Sequence, residues 1–200
     1  MLAGPGIDRG VIGPREADRL WDRHLLNSAV LGELVPHGCR ILDLGSGAGL
    51  PGIPLAIARP DLRIVLLDSM ARRVSWLREV IAALDLAVSV HHGRAEDPVV
   101  RTALGEQDVV TARAVAPLGR LVKWALPLVV PTGRLLAIKG AAAEQELAQE
   151  MASVRAAGGV AVEIVQCGVT IVHPPPTVVV VTRAAQRVMW PAKARKRKDR

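Results

Sequence analysis

The sequence predicts an α/β fold, a mostly parallel sheet with helices on both faces. Three observations carry that expectation. Short apolar, β-branched runs alternate along the chain with segments of helical period, the pattern of strand–helix–strand units. The first run, Ile41-Leu42-Asp43-Leu44, passes directly into the glycine turn Gly45-Ser46-Gly47-Ala48-Gly49-Leu50-Pro51-Gly52. A second run, RIVLLD, ends at Asp68, about 20 residues after that turn, where such folds place a carboxylate that can take both hydroxyls of a ribose.

The elements follow in order. Residues 1–35 form an N-terminal helical segment, in which Arg19, Arg23 and Asn27 lie four apart and share one face. The strands at 41–43 and 63–68 come next. Residues 71–84 carry Val74, Leu77, Val80, Ile81 and Leu84 at helical spacing. A third strand covers 87–91, and Asp97 with Pro98 opens a short connection. The fourth strand, 108–112, ends at Arg113. A helix over 118–130 and a fifth strand over 133–139, ending at Lys139, follow. The helix at 141–156 is closed by Gly158 and Gly159, the expected stop. Residues 160–167 and 177–183 make a closing strand pair, with His173-Pro174-Pro175-Pro176 between them, so the sheet has seven strands. The main domain spans 36–185, and 186–200 form a basic tail.

Composition fits one domain of this kind. Two hundred residues that are 50% hydrophobic can bury a full core without disulfides or metals. Phe and Tyr are absent and four Trp are the only aromatics, so the packing is aliphatic. Trp21 and Trp76 fall at core spacings, whereas Trp124 and Trp190 are the candidates for stacking on a base. No apolar run approaches the roughly 18 residues of a membrane helix, and the N-terminus lacks a signal-peptide pattern; both point to the cytoplasm. Cys39 and Cys167 lack metal or redox spacing and read as reduced thiols. His91 and His92 have no third ligand at metal spacing, so no metal site is expected. The net charge is +7, but Lys193 to Arg200 holds six basic residues and one acidic, leaving +2 for residues 1–192. That tail reads either as a solubility appendage or as a clamp for nucleic-acid phosphates, gaining affinity by counterion release.

The glycine turn asks which ligand it serves. Residues 47–52 satisfy the dinucleotide pattern G-x-G-x-x-G, which alone is weak evidence. Asp43 sits where a pyrophosphate would lie, and like charges in a partly desolvated pocket repel. A cationic ligand suits the site better. S-adenosylmethionine carries a sulfonium and an ammonium and no phosphate, and the run Asp-x-Gly-x-Gly-x-Gly at 43–49 resembles the first motif of Rossmann-like methyltransferases.

Further blocks sharpen that resemblance. LWDRHLLNS at 20–28, LDLGSGAGLPGIPLAI at 42–57, LLDS with Arg72 and Arg73, GRAE at 93–96, TARAVAPL at 111–118 and AIKG at 137–140 together look like the bacterial small-subunit ribosomal RNA (guanine-7)-methyltransferases, also called the glucose-inhibited division protein B family. The resemblance implies a Rossmann-like class I methyltransferase fold, S-adenosylmethionine as cofactor, and 16S rRNA or a small ribosomal subunit precursor as partner; separately, a monomer is expected. It implies that Gly45 and Leu50 line the methionine and sulfonium end, Asp68 the ribose, and Ala95 with Glu96 the adenine, with Asp43, Gly47 and Gly49 also binding the cofactor. Arg113 would sit beside cofactor and substrate. Arg23, His24, Arg113 and Lys139 would position RNA. Three departures stand out: the stretch before Pro14 is shorter than the family's N-terminal helical region, Asn27 replaces a common Asp, and Val115 and Pro117 stand where an aromatic can occur.

The chemistry is narrowed by what is absent. Methylating a pyrimidine carbon needs a cysteine nucleophile near the fourth or fifth strand, and neither cysteine lies there. Methylating an exocyclic amine in related folds uses an Asn- or Asp-Pro-Pro-aromatic turn after the fourth strand, where this chain has Thr111-Ala112-Arg113-Ala114. Guanine N7 has a free lone pair and needs no general base, so no acid–base catalyst is expected. Catalysis then reduces to in-line positioning and exclusion of water. A methyltransferase of a small molecule and a non-catalytic cofactor-binding module remain alternatives.

Overall fold

A computed structural model describes residues 1–185 of the chain; the basic run from Lys193 and Trp190 lie outside the described residues. Seven strands form one sheet in the order β3-β2-β1-β4-β5-β7-β6. They are β1 (Arg40–Leu44), β2 (Arg63–Asp68), β3 (Val88–His92), β4 (Gln107–Arg113), β5 (Val129–Lys139), β6 (Gly159–Gln166) and β7 (Thr177–Arg183). The first five run parallel, and β7 inserts antiparallel between β5 and β6. The predicted class and strand count therefore match. Strand order reverses at β1, which pairs with both β2 and β4, and open α/β sheets bind ligands beyond the carboxyl ends of strands at such a switch point.

The strands read as near-continuous apolar runs because helices cover both faces. Successive residues serve opposite cores: Leu42, Leu67, Val110 and Leu135 pack on one face, Ile41, Leu66, Val109 and Leu136 on the other. Each such side chain contributes on the order of 1.5–3 kcal/mol by leaving water. The first face is covered by helices Pro98–Leu104, Leu118–Ala125 and Ala143–Ala156, the second by Gly52–Ala58, Ala71–Ala83 and the N-terminal segment.

Four local readings change. The connection after Asp97 is itself a helix, Pro98–Leu104, whose start follows from chemistry visible in the sequence: the Asp97 carboxylate accepts from Val99 N at 2.8 Å, and Pro98 occupies the first turn, where its missing N–H costs nothing. The helix expected over 118–130 stops at Ala125, because Pro127 cannot donate to the preceding turn. The chain tightens through Leu126–Leu128 and β5 begins at Val129, before the predicted Gly133. Trp76 is buried as expected, but Trp21 is 65% exposed.

The N-terminal segment is a chain of short helical windings, with 3-10 turns at Pro14–Arg19 and Val30–Leu34 and a wide π-helical stretch at Leu20–Leu26. It is tied to the sheet at several points. Val30, Leu31 and Val35 join the core under Ile41. The Arg59 guanidinium donates to the carbonyls of Gly32 and Val35 at 2.8 and 2.9 Å, and Glu33 accepts from Gly168 N at 2.9 Å. These anchors suspend residues 19–27 over the carboxyl ends of β4 and β5.

Candidate active site

The glycine turn between β1 and the Gly52–Ala58 helix is held almost wholly by backbone groups and two carboxylates. Gly45 N and Ser46 N donate to Leu67 O at 2.8 and 3.1 Å, which pins the turn to β2. Gly45 and Gly47 both have positive φ, +71° and +58°, a region that penalises side chains. A Cβ on Gly45 would lie 2.8 Å from the Val115 side chain, whereas one on Gly47 would meet nothing nearer than Gly45 O at 3.8 Å.

Asp43 is fully buried inside the turn. Its Oδ2 accepts from Gly52 N at 3.0 Å and its Oδ1 from the Thr111 hydroxyl at 3.1 Å, Thr111 being its register partner on β4. Burial pushes its pKa up to about 6, against the lowering effect of those bonds. The carboxylate thus shapes the turn from within. Asp68 ends β2, is 2% exposed, and accepts from Gly47 N and Met70 N, both at 2.9 Å, with Arg73 at 3.7 Å. Each of its oxygens retains a lone pair for a ribose hydroxyl.

Gly45, Asp68, Ala95 and Glu96 line one cleft of about 100 Å³, with Val115 and Trp124 as its other wall. The volume is below the roughly 300 Å³ of a typical small-molecule site. Val115, leaning over Gly45, narrows it. Ala114 beside it has φ +54°, a conformation that non-glycine residues adopt at a cost. The Arg120 guanidinium lies 6.0 Å from the Trp124 ring. Gly49 and Leu50 face elsewhere: they line an apolar groove of about 440 Å³ with Trp21, Leu25 and Ile57. The turn therefore does not bring Leu50 to the Asp68 cleft in this conformation.

A second, larger cleft of about 810 Å³ opens beside the first. Arg19, Arg23, Asn27, Arg113 and Lys139 line it, together with Asp18, Asp22 and the loop carrying His173, Pro174, Pro175 and Pro176. Arg113 is mostly enclosed, and burial lowers its pKa. Its Nη1 donates to His24 O at 3.4 Å and Ser28 Oγ at 3.3 Å, its Nη2 to Arg23 O at 3.1 Å and His24 Nδ1 at 2.7 Å. Lys139 Nζ donates to Ala116 O at 3.1 Å and Glu146 Oε1 at 2.9 Å. Burial raises the Glu146 pKa, but that ammonium and the Leu118 N–H outweigh it and hold the carboxyl below its usual range. Asn27 Nδ2 donates to Arg23 O at 3.1 Å, and its Oδ1 is buried without a partner among the described residues. Arg113 and Ala114 line this cleft and Val115 the first, so one short loop separates the two.

Of the anticipated residues, Gly45, Asp68, Ala95 and Glu96 meet in one cleft and Arg23, Arg113 and Lys139 in the other. His24 stands behind Arg113, and Asp43 and Gly47 build the turn itself. Sequence reasoning missed Glu16, Ser28, Thr111 and Glu146, each of which fixes a neighbouring polar group. Thr111 alone was signalled, as a hydroxyl in an otherwise apolar run.

Residues 1–173 match the family model for rRNA small subunit methyltransferase G. The chain belongs to this family. A ribosomal RNA small subunit methyltransferase G of Mycobacterium sp. (strain JLS) is 54% identical over 184 residues, covering 92% of this chain and 82% of the relative. Its namesake in Mycobacterium leprae (strain TN) is 54% identical over 188 residues, covering 94% and 76%. Among solved structures, the S-adenosylmethionine-dependent methyltransferase SibL is similar at a TM-score of 0.63 and 21% identity, covering 86% of this chain and 58% of that one. A precorrin-6y C5,15-methyltransferase from Geobacter metallireducens GS-15 gives 0.56 and 14%, covering 86% and 90%. At those identities the structural likeness concerns the fold alone, and it is the class I methyltransferase fold.

Proposed function

We propose that this protein transfers the methyl group of S-adenosylmethionine to N7 of a guanine in small-subunit ribosomal RNA, acting as a monomer in the cytoplasm. The observation that carries the reading is the pairing of two unlike clefts across the 113–115 loop, at the carboxyl end of β4. One is small and holds a buried carboxylate. The other is large and carries four cations, Arg19, Arg23, Arg113 and Lys139, against two carboxylates.

The residues of the first cleft fit this cofactor and disfavour a dinucleotide. Gly47 N–H, the group a pyrophosphate would take, already donates to Asp68, and a second carboxylate lies inside the turn. Asp68 would hold the ribose, and Ala95 and Glu96 the adenine edge. S-adenosylmethionine, when bound, supplies a methyl group on a sulfonium. The nucleophile is then the guanine N7 lone pair, which needs no proton removed. Arg19 and Arg23 would bind flanking phosphates, and Arg113, whose Nη contacts with the N-terminal segment leave its Nε–H, would offer that donor and its charge to the guanine or its phosphate. Pro174, Pro175 and Pro176 give the base a preformed apolar wall. Catalysis rests on alignment and exclusion of water. Neither cysteine lines either cleft, and burial pushes the Cys167 thiol up to about 11, which removes the nucleophile that C5 methylation requires.

The test is methyl transfer from labelled S-adenosylmethionine to ribosomal RNA from cells lacking this protein, followed by nucleoside analysis. Label in 7-methylguanosine supports the reading. Label in 5-methylcytidine, or in no nucleoside, overturns it.

A further inference from the structure

We propose that Glu16 and His24 are positioning residues that hold Arg113 in the RNA cleft through one imidazole tautomer. The proposal rests on the RNA-methylating reading of that cleft. Two side chains of the N-terminal segment and one from the end of β4 connect in series: Glu16 Oε2 is 2.6 Å from His24 Nε2, and His24 Nδ1 is 2.7 Å from Arg113 Nη2. A guanidinium has no acceptor, so Nδ1 must offer its lone pair to Arg113. A neutral imidazole then carries its proton on Nε2, where the Glu16 carboxylate accepts it. Each contact dictates the next.

The surroundings support that assignment. The Ser28 hydroxyl donates to His24 O at 2.5 Å, which leaves its lone pairs to accept from Arg113 Nη1. Both terminal nitrogens of Arg113 thus face the N-terminal segment, and among the described residues no acceptor takes its Nε–H. The charged groups around the imidazole are Glu16, Arg23 and Arg113, with Arg19 beside Glu16 and Asp43 behind Arg113. Burial holds the His24 pKa below its usual range, with the Glu16 bond opposing, so the neutral form is the resident one near neutral pH.

Protonating His24 would place an N–H against the guanidinium and break the contact. The arrangement is therefore present at higher pH and lost as pH falls through the folded-state pKa of His24. A simple docking role for the segment does not demand this tautomer. His24→Leu should raise the KM for RNA roughly tenfold while leaving the cofactor Kd unchanged, since it removes a hydrogen bond to a charged group. His24→Asn, which can place a non-titrating acceptor near the Nδ1 position, should lose the acid limb of the pH profile of kcat/KM for RNA. Glu16→Gln can still accept from Nε2 but carries no charge, and it should move that limb to lower pH.

The measurements are these pH profiles together with ¹⁵N NMR of His24 in the wild-type protein. A proton on Nε2 with Nδ1 unprotonated near pH 8, and the shifts described, support the proposal. A proton on Nδ1 overturns it, as do variants that lower Tm yet leave the RNA KM and the acid limb where they were. Because the NMR readout needs no turnover, the relay can fail or stand separately from the methyltransferase reading, which fails on the wild-type nucleoside product.

Discussion

The two clefts at the carboxyl end of the sheet are built by opposite means. The one around Gly45 and Asp68 is made of backbone: a turn with three positive-φ glycines, its N–H groups capped by carboxylates and carbonyls of its own or the adjacent strand. The one around Arg113 is made of side chains that arrive from residues 18–27, the ends of β4 and β5, and the loop before β7. A backbone-built cleft has no room for an added side chain where its wall closes on the main chain, as Val115 does on Gly45. A side-chain-built cleft depends on what holds each long side chain in place, here the contacts of Arg113 and Lys139 with Arg23, His24, Ser28 and Glu146.

Substitutions that separate these modes give graded outcomes. Gly45→Val has the largest expected effect: cofactor binding vanishes and thermal stability falls too, because the new side chain meets Val115 at a φ of +71°. Gly47→Ala should cost only the left-handed backbone penalty, about 1–2 kcal/mol, since its Cβ would make no contact closer than 3.8 Å to Gly45 O. Calorimetric titration with S-adenosylmethionine and thermal denaturation compare the two. Arg113→Ala should lower kcat/KM for RNA roughly 10- to 100-fold through lost charged hydrogen bonds, with a much smaller change in cofactor Kd, as read from initial rates and direct binding.

Asp43 probes the inside of the turn. Its folded-state pKa of about 6 lies above the ordinary 3.8, so protonation stabilises the fold. That stabilisation is full below the ordinary value and disappears as pH rises through about 6. Asp43→Asn, which cannot ionise, should therefore gain in Tm relative to wild type as pH is raised across that window and hold the gain above it. The smallest effect belongs to Val115→Ala, which should widen the narrow cleft and raise cofactor affinity by a few-fold in the same titration.

How legible each cleft was follows from how it is built. The glycine turn and Asp68 could be read because they are contiguous and because strand–turn–helix spacing places them. The Gly52 partnership with Asp43 lies within the same run. Arg113 and Lys139 were legible as strand ends, but their partners were not: Glu16 and Glu146 come from other elements, and no spacing rule links residue 16 to residue 113. Leu50 was placed by resemblance on the cofactor, while the turn directs it into an apolar groove. Trp21 fell at a core spacing, yet the π-helical winding of residues 20–26 breaks the 3.6-residue period on which that reading rests and leaves it exposed. Helix Pro98–Leu104 was missed although Asp97-Pro98 is its start signal, because its seven residues are too few to show a period.

The division of labour between the clefts is tested most directly by a two-substrate initial-rate titration of the Arg19→Ala, Arg23→Ala double variant, with cofactor and RNA varied together at several salt concentrations. The prediction is a higher KM for RNA, a salt slope flattened by about one unit per lost phosphate contact, and an unchanged KM for S-adenosylmethionine. A cofactor KM that rises in step with that for RNA, or an RNA KM that does not move, would contradict the account.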